Sequence, residues 1–359
     1  MKTTVKQKSF FEEDDRLKRL TELGDQLVNI SATIDFGMFR PLLDSAIVRK
    51  NSDLGGRPPW DNVLMFKVLL LQQWYNLADD KTEYVINDRL SFQRFLNLSL
   101  GDKVPDSKTI WLFREILMKS GKYETLFSMF EKEMEKRAII TRKGSIVDAA
   151  FVEVPKQRNT REENKKIKQG EGDQLFGDNK HKKRQKDVDA RWTKKNNKTF
   201  YGYKDHIKVD KDSKMIVSYS ATDASVHDSK ELVNLLDEKD ESLNADSAYV
   251  GEELHATIKE KYPNIKLNVN EKANRNKPLT EKQKESNRIK SKTRARGEHV
   301  FGHMTNSFGD RMIRTIGEAR AKIQICLKNL AYNFCRYTFL CRVGKVKNPI
   351  PTKGYALAA

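Results

Sequence analysis

Through its first 140 residues the chain repeats apolar positions at helical spacing; beyond them the repeat shortens to the alternation and brief apolar runs of β-strands. Leu17, Leu20, Leu23, Leu27 and Ile30 mark one amphipathic helix over 12–33, and a short helix follows over 38–48. The turn-rich NSDLGGRPPW leads to the most apolar helix, opened by Pro58 and Pro59 and carrying Val63, Leu64, Phe66, Val68, Leu69, Leu71, Trp74 and Tyr75. Apolar residues surround it on nearly every side, which predicts the core of an all-helical N-terminal domain. Further helices are predicted at 79–97, 107–120 and 122–137, the second capped by Asp106 or Ser107. Lys108, Thr109, Trp111, Arg114 and Lys119 lie on the polar side of that second helix. With the helix before it, it could form a DNA-reading helix-turn-helix, or it could simply pack within the domain.

The stretch GSIVDAAFVEV, 144–154, is small, apolar and β-branched and stops at Pro155, the signature of a buried strand. Residues 156–198 are polar, rich in Lys, Asn and Gln, and nearly free of apolar side chains, so a mobile basic insertion is expected there. TFYGYKDHIKVD, a turn at Asp210 to Ser213, and MIVSYSATD then predict a β-hairpin. VHDSKELVNLLDE reads as a helix capped by Asp228 or Ser229, LNADSAYV as a short strand, 251–261 as a helix, and IKLNVNEK as a further strand. After the Lys- and Asn-rich 272–292 come a long helix through TRARGEHVFGHMTNSF and a last one burying Ile323, Ile325, Leu327, Leu330, Phe334 and Phe339. The order predicts a mixed α/β sheet whose first three strands are antiparallel, flanked by helices. Three segments are expected: a helical domain over 1–140, an α/β domain over 141–342 with its insertion at 156–198, and a tail over 343–359.

Charge narrows the partners. Lys and Arg number 68 against 50 acidic residues, a formal +18, which favours a polyanion. No apolar run reaches eighteen residues, since Lys67 breaks the longest, and MKTTVKQKSF does not have the form of a secretory signal. A membrane partner is therefore not expected, and nucleic acid is. Cys326, Cys335 and Cys341 fall in one segment without C-x-x-C spacing, as expected of reduced thiols in a cytoplasmic protein.

Against this basic background three acids stand out: Asp148 in the first predicted strand, Asp246 at the end of the fourth, and Glu298 on the long helix. In a sheet of this order the first and fourth strands can be neighbours, and helix packing can bring Glu298 to the same edge. Convergent carboxylates repel unless a cation sits between them, and hard oxygen donors suit Mg²⁺ or Mn²⁺. Two such ions serve phosphodiester cleavage and transfer. His299 and His303 are spaced for zinc, but their order, Glu-His-x-x-x-His, is not that of a zinc protease.

Several runs carry a family resemblance: RPPWDNVLMFKVLLLQQWYNL, VPDSKTIWLFRE, GSIVDAAFVEVP, FYGYKDHIKVD, ASVHDS, NADSAYVG and SNRIKSKTRARGEHVFG. Together they resemble bacterial insertion-sequence DDE transposases, the family 5 type in particular, whose RNase H-like catalytic domain presents Asp, Asp and Glu in this order. The resemblance implies that Asp148, Asp246 and Glu298 bind two Mg²⁺ ions, with Mn²⁺ able to substitute. It further implies that they cut DNA at terminal inverted repeats and join the 3′-OH ends to target DNA, within a homodimer in a bacterial, nucleoid-associated setting. Arg294 matches the Arg of the family's Tyr-Arg-Glu-Lys signature, whereas Ser291 and Thr305 stand where Tyr and Lys are usual. Arg288, Lys290, Lys292 or Arg296 are candidates to replace the missing charge. His227 and Asp228 match a His-Asp pair, expected beside the site or as a helix cap, and Lys204 is a candidate phosphate contact. The helical domain and the basic insertion are the candidates for end binding. Two other functions share these features: an inactive, transposase-derived DNA-binding repressor, and a structure-specific RNase H-like nuclease.

Overall fold

The structure is a computed structural model that describes residues 11–47, 58–177, 179–195, 197–273, 278–309 and 312–351. The connector at 51–57, the first ten residues and the tail from 352 lie outside the described residues. Two compact units divide the chain. The first comprises Met1–Gln72, Leu77–Ile116 and Tyr337–Ala359, and the second Gln73–Asn76 and Leu117–Arg336.

The first unit is helical: α1 (Glu12–Glu22), α2 (Gln26–Thr33), α3 (Arg40–Ala46), most of α4 (Asn62–Tyr75), α5 (Asp79–Asp88), α6 (Leu90–Leu96) and most of α7 (Ser107–Lys119). The single helix expected over 12–33 is two, because the Asp25 carboxylate caps a new start by accepting from the Leu27 N–H. Asp61, rather than the two prolines, caps α4 by accepting from the Leu64 N–H at 2.9 Å. As the pattern predicts, α4 is buried nearly all round, from Met65 to Leu71. Lys67, enclosed in that core, donates to the Phe95 carbonyl and lies over the Phe36 and Phe95 rings. Burial pulls its ammonium down to about 8.

The helix-turn-helix expectation does not hold. Residues 97–106 between α6 and α7 are far more than the three- or four-residue turn of that motif. Arg114 is buried and forks onto both Asp79 oxygens at 2.7 Å, so it is not presented to DNA.

The second unit is built on a six-stranded sheet of β1 (Ser145–Glu153), β2 (Arg191–Lys195), β3 (Lys198–Asp210), β4 (Ile216–Asp223), β5 (Ser242–Ala245) and β6 (Lys266–Val269). Its order is β2-β3-β1-β5-β6, with β4 also on β3; β1, β3 and β4 are antiparallel, and β1, β5 and β6 are parallel. This is the mixed, helix-flanked RNase H-like architecture expected. The helices are α8 (Tyr123–Lys136), α9 (Arg161–Lys168), α10 (Gly172–Leu175), α11 (Lys180–Gln185), α12 (Leu232–Leu235), α13 (Glu252–Lys261), α14 (Glu281–Ser307) and α15 (Glu318–Arg342), the last ending in the first unit. The first unit passes into the second between Ile116 and Leu117, and α8 packs with the sheet unit. Phe127 meets Tyr219 edge-on at 4.9 Å, Phe130 meets Phe334 at 4.7 Å, and Glu131 pairs with Arg142.

Among its described residues the insertion carries three short helices and a strand rather than the unstructured chain expected. Thr160 and Glu163 form a reciprocal cap on α9, and Lys182 of α11 returns to Glu163 at 2.9 Å. Ile167, Phe176 and Ala190 are its buried apolar anchors. Asp187, almost fully buried, accepts hydrogen bonds from the Tyr203 hydroxyl and from the Asp189, Ala190 and Gly317 N–H groups. β2, which the sequence pattern did not reveal, pairs with the start of β3.

Where β3 crosses β1, the pair Glu153–Gly202 has no room for a side chain. Gly202 sits at φ +145°, and a Cβ there would lie 2.3 Å from the Val152 carbonyl oxygen. Gly202→Ala is expected to cost more than about 2 kcal/mol, read as a lower midpoint in chemical denaturation. An unchanged midpoint would contradict this packing.

Candidate active site

Asp148 and Asp246 reach one edge through strand pairing. β1 and β5 run parallel with Ile146 opposite Asn244, and each acid lies two residues beyond that pair, where β5 has ended. Asp246 then caps a short turn, accepting from the Ala248 N–H at 2.8 Å. Asp148 is largely buried and accepts from the Ala149 N–H at 2.9 Å.

Glu298 arrives on α14, which begins at Glu281, well before the long helix the sequence suggested, under a Thr280–Gln283 cap. The helix touches β1 at Gly297, where a Cβ would lie 2.9 Å from Ile146 Cγ2 and 3.9 Å from the Asp148 Cβ. A glycine inside a helix costs about 1 kcal/mol against alanine, and here it allows the close approach that sets Glu298 beside Asp148. That glycine was a legible signal that the sequence reading passed over.

Electrostatics register the convergence. Burial, with the negative charges of Asp246 and Glu298 added, pushes the Asp148 carboxyl up to about 6, although the Ala149 N–H and Arg294 oppose the shift. Arg294, one turn before Glu298, binds its carboxylate at 2.5 Å, while the Arg294 Nε is buried without a hydrogen-bond partner. Among the described residues, no three His, Cys, Asp or Glu side chains are gathered tightly enough to hold a metal ion. The donor chemistry nonetheless fits a hard divalent cation: oxygen-only ligands, one of them carrying a proton affinity that a cation would relieve.

The other sequence candidates divide. Lys204 is buried and committed, donating to Asp228 at 2.8 Å and to the Val226 carbonyl, so it faces no phosphate. Asp228 is therefore an ion-pair partner, and His227 is the cap of the turn, its Nδ1 accepting from the Ser229 N–H. Arg288 pairs with Glu285 on the exposed face of α14, Lys292 is exposed, and Arg296 donates to the Lys211 carbonyl. Lys290 donates to the Val269 carbonyl and Ser291 accepts from Asn270, both tying α14 to the end of β6. The zinc reading fails on geometry: His299 contacts Lys214, while His303 packs against the Phe308 and Tyr332 rings. His206, completely buried, meets Thr222 at 2.9 Å, and burial lowers its imidazole to about 4.

Along β1 beyond its short pairing with β5 lies an open cleft of roughly 580 Å³ that includes Asp148 and Glu298. Phe151, Phe200, Lys195 and Lys198 also line it, and the sequence reading missed all four. Among the described residues no helix is long and apolar enough to cross a membrane.

Comparison with known proteins agrees with this architecture. The model of the transposase DDE domain matches residues 140–334, and that of a transposase domain (DUF772) matches residues 15–115. Among solved structures, the cryo-EM structure of the piggyBac transposase synaptic complex with hairpin DNA aligns over 90% of this chain and 77% of its own, at 9% identity and a TM-score of 0.43. That likeness is too loose to carry an argument. The first match alone spans more than half of the chain and takes in the sheet, α14 and all three acids, and so the chain belongs to the transposase DDE domain family.

Proposed function

We propose that this transposase cuts DNA at the terminal inverted repeats of an insertion sequence and joins the freed 3′-OH ends to target DNA, with Asp148, Asp246 and Glu298 as its acidic triad. The observation that supports it most is geometric: the parallel register of β1 and β5 and the close approach of α14 at Gly297 bring acids from three separate elements toward one edge of the sheet. These carboxylates would hold divalent metal, Mg²⁺ or Mn²⁺ and two ions in the full arrangement, which when bound would supply positive charge to the attacking and leaving oxygens. The chain's own residues do the rest. Arg294 holds the Glu298 carboxylate in orientation, and Lys195 and Lys198 give the cleft the positive charge a phosphate backbone requires. Exposed lysines on α9 and α11, among them Lys165, Lys166, Lys168 and Lys183, add further positive charge to the same unit. Two ends have to be held together for joining, which suits a homodimer.

The test is a labelled duplex carrying the repeat that borders the gene, incubated with Mg²⁺, Mn²⁺ or chelator. Metal-dependent cutting at the repeat boundary is expected. Binding without cutting in any metal would leave a DNA-binding protein without catalysis, and cutting without regard to the repeat would indicate a general nuclease. Affinity for the duplex is expected to fall by about 10³-fold or more between 50 and 200 mM salt, as for proteins making roughly six or more phosphate contacts. A flat response would remove the basic surface from DNA binding.

A further inference from the structure

Two different kinds of contact hold α14. From Gly297 onward it buries Val300, Phe301 and Met304, whereas none of its residues from Glu281 to Arg296 is buried. That first half is fastened instead by hydrogen bonds to three consecutive residues at the end of β6. Lys290 donates to the Val269 carbonyl at 2.9 Å, and the Asn270 Nδ2 donates to the Ser291 Oγ at 3.0 Å. The Asn287 amide accepts from the Glu271 N–H and donates to the Glu271 carbonyl.

Strand register shows where these residues stand relative to the acids. Ala245 of β5 pairs with Val269 of β6, so Asn270 is level with Asp246, as Asp246 is with Asp148. The three form one row across three parallel strands, and the row spans two strand spacings, about 9.5 Å. Along α14, Ser291 and Glu298 are seven residues apart, a rise of about 10.5 Å, with Arg294 about 4.5 Å from Ser291. Ser291 is bonded to Asn270 and Gly297 lies against β1, so the helix meets the strand ends in turn: Ser291 at β6, Arg294 at β5, Glu298 at β1. The spacing of these helix positions matches the spacing of the strands.

A helix anchored only from Gly297 onward is free to pivot there. The second anchor, about 10 Å away, fixes its crossing direction, and with it Arg294 and the Glu298 carboxylate that Arg294 binds. Stability does not account for Asn270. Its Oδ1 is buried without a hydrogen-bond partner, so the side chain gains one bond and leaves one acceptor unmet, opposing contributions of similar size.

We infer that Asn270 is a positioning residue for the third acid: through Ser291 it sets the crossing of α14, so that the Glu298 carboxylate stands beside Asp148 where a divalent ion would bind. The inference rests on the three acids being the metal ligands proposed above, and adds a residue that acts on them from the neighbouring strand.

The test is Mn²⁺ binding to the full chain without DNA, followed by loss of the free-ion signal in electron paramagnetic resonance. Glu298→Gln is expected to weaken that binding. Asn270→Ala and Ser291→Ala are each expected to weaken it about 10- to 100-fold, the range for partners that orient a metal ligand. Melting of Asn270→Ala in chelator should stay near wild type. Both positions act through one ligand, so Asn270→Ala added to Glu298→Gln is expected to lower the affinity no further. Exchanging the partners, Asn270→Ser with Ser291→Asn, should restore most of the binding. Wild-type affinity in Asn270→Ala would overturn the inference. So would an undiminished further loss on top of Glu298→Gln, because a general loosening of the fold acts equally in both backgrounds. Wild-type affinity in Glu298→Gln would instead remove Glu298 from the metal site, and the inference with it. Cutting of the end duplex is scored separately: the expected pattern of affinities in a protein that cuts nothing keeps the inference and removes the proposed reaction.

Discussion

Replacing Asp148 with Asn is expected to abolish metal-dependent strand cleavage, by at least about 10³-fold, and to make the metal-free protein more stable. The two effects have one cause. In the fold, the Asp148 carboxyl is pushed up to about 6, first by burial and then by Asp246 and Glu298, against an ordinary aspartate near 4. The stability linked to this group is therefore fully present below about pH 4 and is lost as pH rises through about 6. At neutral pH the folded protein carries an ionised Asp148 at a cost on the order of 2–3 kcal/mol. Asparagine keeps a carbonyl oxygen to accept from the Ala149 N–H and removes the charge. The stability gain should thus be absent near pH 4 and complete above about pH 7 in chelator. A divalent cation should narrow the gap, because wild type binds it and the variant does not. Asp246→Asn and Glu298→Gln are expected to lose cleavage as fully. Full activity in any one of the three variants would remove that residue from the site.

Much of this site was legible because its carriers are short-range patterns. The β-branched run around Asp148, the hairpin turned by Asp210 to Ser213, and the placing of Asp246 just after a short strand are written in consecutive residues. Asp210 shows why: its carboxylate accepts from the Ser213 N–H and hydroxyl, a contact closed within four residues. What escaped was set at long range. Arg114 has the amphipathic position of a DNA contact, and only the fold shows Asp79 waiting for it. Lys204 looks like an exposed strand lysine until β3 is sandwiched between β1 and β4 and Asp228 is brought across. The basic insertion reads as unstructured because its anchors, Ile167, Phe176 and Asp187, are isolated in a polar stretch. No periodicity announces a side chain that is buried alone. The stacked pair of Phe151 and Phe200 comes from two strands separated by the whole insertion, and neither residue is unusual in a β-strand on its own.

A last expected result concerns what holds the two aspartates in register. Lys208 on β3 is almost completely buried, and its ammonium binds Asp240 at 2.6 Å; the same carboxylate accepts from the Ser145 hydroxyl and the Asp237 N–H. Ser145 begins the strand that carries Asp148, and Asp240 lies two residues before β5, the strand that leads into Asp246. One carboxylate thus ties β1, β3 and the approach to β5 at the base of the site. A buried pair adds little net stability over an apolar replacement, but removing one partner strands the other charge. Asp240→Asn is accordingly expected to cost about 3–5 kcal/mol at pH 7, measured by denaturant unfolding. Burial already holds the Lys208 ammonium below its ordinary range with Asp240 opposing the shift, and in the variant that opposition is gone. The unfolded chain then binds a proton that the folded one does not over the interval up to about pH 10, so the variant should regain stability as pH rises. Lys208→Met combined with Asp240→Leu removes both charges and should recover most of the loss at pH 7. If the double substitution proved as damaging as the single one, the pair would be valued for its hydrogen bonds to β1 rather than its charge. Ser145→Ala would then be expected to reproduce the defect.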